Sequence, residues 1–156
     1  MTLRPNARSR PSIIVMDRDA PTLSRLCDLL QSKGYAAVGA ESAPAACRIL
    51  HGRQVDLVLT TIALPDEERL AWAAALGRLD VKVPVIAMCE ASSIDTLALF
   101  DTANEFGAAA VLRRPFTASA LLRVVADLLP MPAPRDLESA VRLDWPGLAS
   151  GSTAIH

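Results

Sequence analysis

Residues 55–65 read VDLVLTTIALP, and this stretch decides the fold. Val55 to Thr60 is a short apolar run of the kind that forms a strand covered on both faces. It ends on Thr60 and Thr61, and a loop through Pro65 leads to a helix over 66–79. The acidic first turn of that helix, Asp66, Glu67 and Glu68, suits the positive end of the helix dipole.

The same alternation continues on both sides. Upstream, Ser12 to Met16 reads as a buried strand, followed by a helix from Pro21 to Lys33 with Leu23, Leu26, Leu29 and Leu30 on one face. Gly34 stands where a helix C-terminal cap belongs. Ala36 to Gly39 reads as a weak second strand, and Ser42 caps a short helix with Pro44 in its first turn that runs to about His51. Downstream, Val83 to Met88 is a buried strand. Ser92 or Ser93 caps a helix ending near Gly107, Ala109 to Arg113 is a fifth strand, and Thr117 caps a last helix reaching about Leu129. Pro130, Pro132 and Pro134 close the pattern. Five βα units with short connections predict an α/β fold, a doubly wound five-stranded parallel sheet with helices on both faces. Residues 1–10 read as an arm, 11–130 as the domain and 131–156 as a Pro-rich tail. In such sheets the working cleft lies at the carboxyl ends of the strands, near the point where strand order reverses. Those ends are Asp17-Arg18-Asp19, Thr60-Thr61, Cys89-Glu90 and Arg113-Arg114-Pro115.

Composition narrows the function. The chain is 51% hydrophobic and 21% charged, with 4% aromatics, so it has an aliphatic globular core. A formal net charge of −1 removes the electrostatic argument for nucleic acid or an anionic membrane. Three cysteines, Cys27, Cys47 and Cys89, are widely spaced and contain no CxxC pair, which argues against a disulfide framework or a zinc site. The Arg-containing amino terminus has no apolar core of a signal peptide after it, and no run is long enough to span a bilayer. A cytoplasmic setting is the expectation.

The segments IIVMDRDAP (13–21), DLVLTTIALP (56–65), PVIAMCEA (84–91) and GAAAVLRRPF (107–116) together resemble a response-regulator receiver domain. The resemblance covers about Ser12 to Leu129 and implies a flavodoxin-like (βα)5 fold in two-component signalling. It places the phosphoacceptor aspartate on Thr61, four residues before Pro65. It places the two metal-binding acids on Asp17 and Arg18, the switch Thr or Ser on Cys89, the phosphate-binding lysine on Arg114, and the switch aromatic on Val111. Only Asp17 keeps the family residue, and Arg114 keeps the charge. A shift of the loop would bring Asp19 into the cleft in place of the lost acid.

The chemistry implied by the family fails at these positions. An ionised carboxylate attacks phosphorus readily, whereas a threonine hydroxyl needs an activating base, and no histidine lies near the cleft in sequence. Magnesium takes oxygen ligands, usually one or two carboxylates with waters. Two such ligands are gone, and Arg18 adds a positive charge worth about 4 kcal/mol at ~4 Å and an effective dielectric of ~20. No metal and no cofactor are therefore expected. Two placements of Arg18 are open. Its guanidinium stands in the cation's place, paired with Asp17 or Asp19 while Arg114 closes the other side, or it extends into solvent.

The expected function is a phosphorylation-independent receiver-like module acting through protein–protein contact. The alternative is a phosphoacceptor that uses an atypical acid, Asp19 or Asp66. The resemblance implies a histidine kinase, an output protein or a second copy as partner, with a homodimer face formed by the fourth helix, fifth strand and fifth helix. Ile94, Leu97, Phe100 and Val111 are the candidate contacts there, joined by Trp145 from the tail, where Leu137, Val141, Trp145 and Leu148 recur at helical spacing. Trp72 reads as core. Cys89 has two readings, a reactive thiol or a small buried replacement for Thr or Ser, and the second is favoured. A small-molecule site would need a Gly-rich phosphate loop, which the strand-to-helix turns lack.

Overall fold

The computed structural model describes residues 10–79, 82–90 and 96–129. Five strands alternate with five helices: β1 (Ser12–Met16), α1 (Ala20–Ser32), β2 (Ala36–Ala40), α2 (Ala43–Gly52), β3 (Leu57–Thr61), α3 (Asp66–Gly77), β4 (Val85–Glu90), α4 (Thr96–Glu105), β5 (Ala110–Arg114) and α5 (Ala118–Leu128). All pairings are parallel, in the order β2-β1-β3-β4-β5. The order reverses at β1, which pairs with both β2 and β3, so the carboxyl ends of β1 and β3 open side by side.

Two cores sandwich the sheet. On one face Ile13, Val15, Leu57, Leu59, Ile86, Met88 and Leu112 meet the leucine stripe of α1 and the apolar stripe of α5. On the other, Ile14, Met16, Val58, Val85, Ala87 and Cys89 meet α2, α3 and Phe106. The odd–even alternation along each strand divides these sets, and burial on both faces explains why the strands read as nearly continuous apolar runs. The weak second strand has a packing reason. A Cβ at Gly39 would stand 3.0 Å from Leu23 Cγ, so the missing side chain lets α1 lie close over β2.

Local signals act as expected from composition. Ser42 accepts from Ala45 N and Thr117 from Ala120 N, each capping its helix. Gly34 has φ 96, the left-handed conformation that ends α1. The expected helix over 66–79 stops at Gly77. Strands three, four and five each begin later and end nearer the cleft than their apolar runs suggest. Pro84 shows why for β4: it has no N–H to give a ladder, although its carbonyl accepts from Val58 N. The proposed Ser92 or Ser93 cap and the tail with Trp145 lie outside the described residues.

Candidate functional site

The carboxyl ends of β1, β3, β4 and β5 surround a cleft of about 370 Å³ lined by Asp17, Arg18, Asp19, Thr22, Thr61, Ala63, Glu90 and Arg114. The fold thus gathers onto one edge residues spread over most of the chain. Asp17 and Thr61 are both buried at 6% exposure, whereas Asp19 and Arg18 are exposed.

Asp17 is the centre of the cluster. Its Oδ1 accepts from the backbone N–H of Asp19 at 2.9 Å, and its Oδ2 forms a short charge-assisted bond with Arg114 Nη2. Arg114 Nη2 also lies 3.7 Å from Met88 Sδ. Arg114 Nε is 3.2 Å from Glu90 Oε2, yet it is buried without a hydrogen-bond partner. Its N–H is not aimed at that oxygen, so Glu90 and Arg114 attract as charges rather than share a well-formed hydrogen bond. Arg114 therefore stands between an acid from β1 and an acid from β4.

Of the two placements open for Arg18, the structure does not show the pairing with Asp17 or Asp19, and the side chain is half exposed. Its Nη1 meets Glu68 Oε1 at 3.1 Å, and Glu68 Oε2 accepts from Ala43 N at 2.8 Å. Glu68 thereby joins the β1–α1 loop to α3 and caps the start of α2. The guanidinium has enough reach to meet a carboxylate on α3, and Asp17 and Asp19 are already engaged.

Asp19 does not replace the lost acid either. It caps α1, accepting from Thr22 N at 3.1 Å and Thr22 Oγ1 at 2.6 Å. The Thr22 hydroxyl and amide hold its carboxyl below the ordinary carboxylate range. Because the folded value is depressed, the cap's contribution is present at neutral pH and lost as pH falls through that value. Asp66, the other alternative acid, is exposed, pairs with Arg69 at 3.0 Å, and does not line the cleft.

Thr61 sits at the end of β3 with its Oγ1 accepting from Ala63 N at 3.2 Å. Beneath it, Trp72 Nε1 donates to Thr60 Oγ1 at 3.0 Å, and the Thr60 hydroxyl donates to the Thr61 carbonyl at 2.8 Å. This buried relay, and the contacts of Glu68 and Glu90, are features of the site's surroundings that the sequence reading missed. Glu90 was visible as a strand-end residue. Glu68 carried only the signal of an acidic first turn, and nothing local identifies its partner in the β1–α1 loop.

Cys89 is buried and faces the core rather than the cleft, and its Sγ lies 3.7 Å from the Leu112 carbonyl. Burial is the main cause that pushes its thiol up, with Glu90 adding to it and Arg113 and Arg114 opposing. This agrees with the small-core reading and opposes a reactive thiolate. A disulfide reagent at neutral pH is expected to label Cys89 only as fast as the domain unfolds. Peptide-resolved labelling showing fast native modification would contradict this. Val111 is half-buried against the second core. Ile94 lies outside the described residues, and so do the side chains of Leu97 and Phe100.

A parallel sheet of this order, with helices on both faces, is a flavodoxin-like α/β fold. The chain belongs to the response regulator receiver domain family, whose model matches residues 13–126. It is 30% identical over 127 residues to the transcriptional regulatory protein GlrR of Escherichia coli K12, which covers 80% of this chain and 28% of that protein. It is 25% identical over 134 residues to the phosphate regulon transcriptional regulatory protein PhoB of Pseudomonas aeruginosa, covering 85% of this chain and 57% of that one. The chain thus spans less than two thirds of the length of each of these relatives. A receiver protein from Burkholderia phymatum superposes with TM-score 0.67 at 28% identity, covering 80% of this chain and 99% of that one. The receiver domain of an HD domain-containing protein from Pseudomonas fluorescens gives TM-score 0.67 at 25% identity, covering 76% and 94%. Among the described residues, no helix is long and apolar enough to cross a membrane.

The family implies a divalent cation at this cleft, and the residues present do not fit one. Both Asp17 oxygens are engaged, one by Asp19 N–H and one by Arg114. Thr61 offers a neutral hydroxyl. Arg18, on which the resemblance places the second metal-binding acid, brings no carboxylate, and its guanidinium is paired with Glu68. Among the described residues, no group of three or more His, Cys, Asp or Glu side chains is arranged to hold a metal.

Proposed function

We propose that this receiver domain signals without accepting a phosphoryl group and works by protein–protein contact within a two-component system. The observation that carries the reading is Thr61 at the end of β3, where the family resemblance places the phosphoacceptor carboxylate. A threonine hydroxyl is a weak nucleophile without a base beside it. The described cleft lining contains no histidine, and His51 lies on α2 with its Nδ1 at 2.9 Å from the Cys47 carbonyl. A phosphothreonine would also lack the lability of an acyl phosphate.

The partner classes are a histidine kinase, an output protein or a second copy of the chain, met at the face of α4, β5 and α5. The support is the family resemblance and the half-buried Val111 on β5. With a formal net charge of −1, direct contact with nucleic acid is not part of this reading.

The test is intact mass after incubation with acetyl phosphate and magnesium chloride. The expected spectrum shows no phosphoryl adduct on the unmodified chain. An adduct would overturn the reading, and its location on Asp19 or Asp66 would establish the atypical-acid alternative.

A further inference from the structure

We infer that Arg114 is the permanent cation of this site, a covalently attached charge that stands where the family would use a divalent metal. This deepens the proposed function and rests on it in one respect. A domain that receives no phosphoryl group has no need of an exchangeable metal, so a fixed guanidinium costs it no chemistry.

Three observations support the assignment. First, Arg114 reaches from β5 across the sheet edge to Asp17, just after the non-adjacent β1, and also lies 3.2 Å from Glu90, its register partner at the end of the neighbouring β4. Second, the pair is largely removed from water, with side-chain exposures of 20% for Arg114 and 8% for Asp17. Third, the other guanidinium that could neutralise Asp17, that of Arg18, is committed to Glu68 outside the acid pair. A magnesium ion needs free oxygen lone pairs at ~2.1 Å. It would have to displace Arg114 from Asp17 or share the acid with a positive charge a few ångströms away.

If the guanidinium is a stand-in cation, removing it should uncover two carboxylates, Asp17 and Glu90, that accept a hydrated divalent ion. The experiment is thermal unfolding of the full chain and of Arg114→Gln in magnesium chloride or manganese chloride, against sodium chloride of equal ionic strength. The wild type should show the same midpoint in all three salts. Arg114→Gln should start lower and gain several degrees with either divalent salt. The double variant Asp17→Asn, Arg114→Gln should lose that gain, because the neutral pair needs no cation. It also supplies a folded comparison if the single variant unfolds in the absence of metal.

A divalent-specific shift in the wild type overturns the inference, whatever the phosphorylation assay shows. So does an Arg114→Gln chain that gains no more than the double variant. A phosphoryl adduct on a wild type that remains indifferent to metal would overturn the proposed function instead, so the two ideas fail separately.

Discussion

Trp72→Ala is expected to lower the folding free energy by about 3–5 kcal/mol, the range for removing a large aromatic side chain from a packed core. Trp72 is fully buried, at 0% exposure, and packs among the second core beside the α2 and β4 side chains. Nothing nearby can collapse into the space easily, because the sheet behind it is held by ladders on both sides. For a domain with typical stability of about 5–15 kcal/mol, this is a large share of the total. Trp72→Phe removes the hydrogen bond with a smaller loss of volume than the alanine variant. It keeps most of the ring and removes the indole N–H, while Thr60 still donates to the Thr61 carbonyl. Its cost should be about 1–2 kcal/mol. Urea midpoints at constant slope read both values. An alanine variant within about 1 kcal/mol of wild type would mean that Trp72 does not anchor α3 to the sheet.

Arg114→Gln is the second large effect. Breaking a buried ion pair by removing one partner costs about 3–5 kcal/mol, because the remaining charge is stranded. Here the expectation is about 2–3 kcal/mol, since Arg114 is 20% exposed and Asp17 keeps the Asp19 N–H. Asp17→Asn should cost less, because Arg114 retains Glu90 and partial access to water. The double variant should be more stable than the sum of the singles implies, with a coupling of at least about 1 kcal/mol. Additive losses would mean that the two side chains are neighbours without being an energetic pair.

The fold was legible because its signals are local. Apolar runs of strand length, leucines at helical spacing in α1, and Ser42 and Thr117 at helix starts each act within a few residues. Strand ends were less legible, because an apolar run reports burial and the ladder reports hydrogen bonding. Val55 and Val83 belong to apolar runs but precede the paired residues, whereas Thr61, Glu90 and Arg114 are polar yet complete their strands.

The site was legible in its members and not in its pairings. Asp17, Arg18, Asp19, Thr61 and Arg114 do line one cleft. The sequence left open which arginine would take which acid. Glu68 lies 50 residues from Arg18, and Asp17 lies 97 residues from Arg114. Such partners are set by the packing of whole elements, and long flexible side chains can satisfy several arrangements of the same charges. Cys89 illustrates the same limit. Its position at a strand end put it near the cleft in sequence, but strand alternation turns it to the core and sends Glu90 to the site.

The most direct test of a receiver that takes no phosphoryl group is backbone amide NMR of the unmodified chain, titrated with magnesium and the phosphoryl mimic beryllium fluoride. The predicted spectra leave the amides of Thr61, Ala63 and Arg114 unmoved. Saturable shifts at those three positions, dependent on both reagents together, would contradict it.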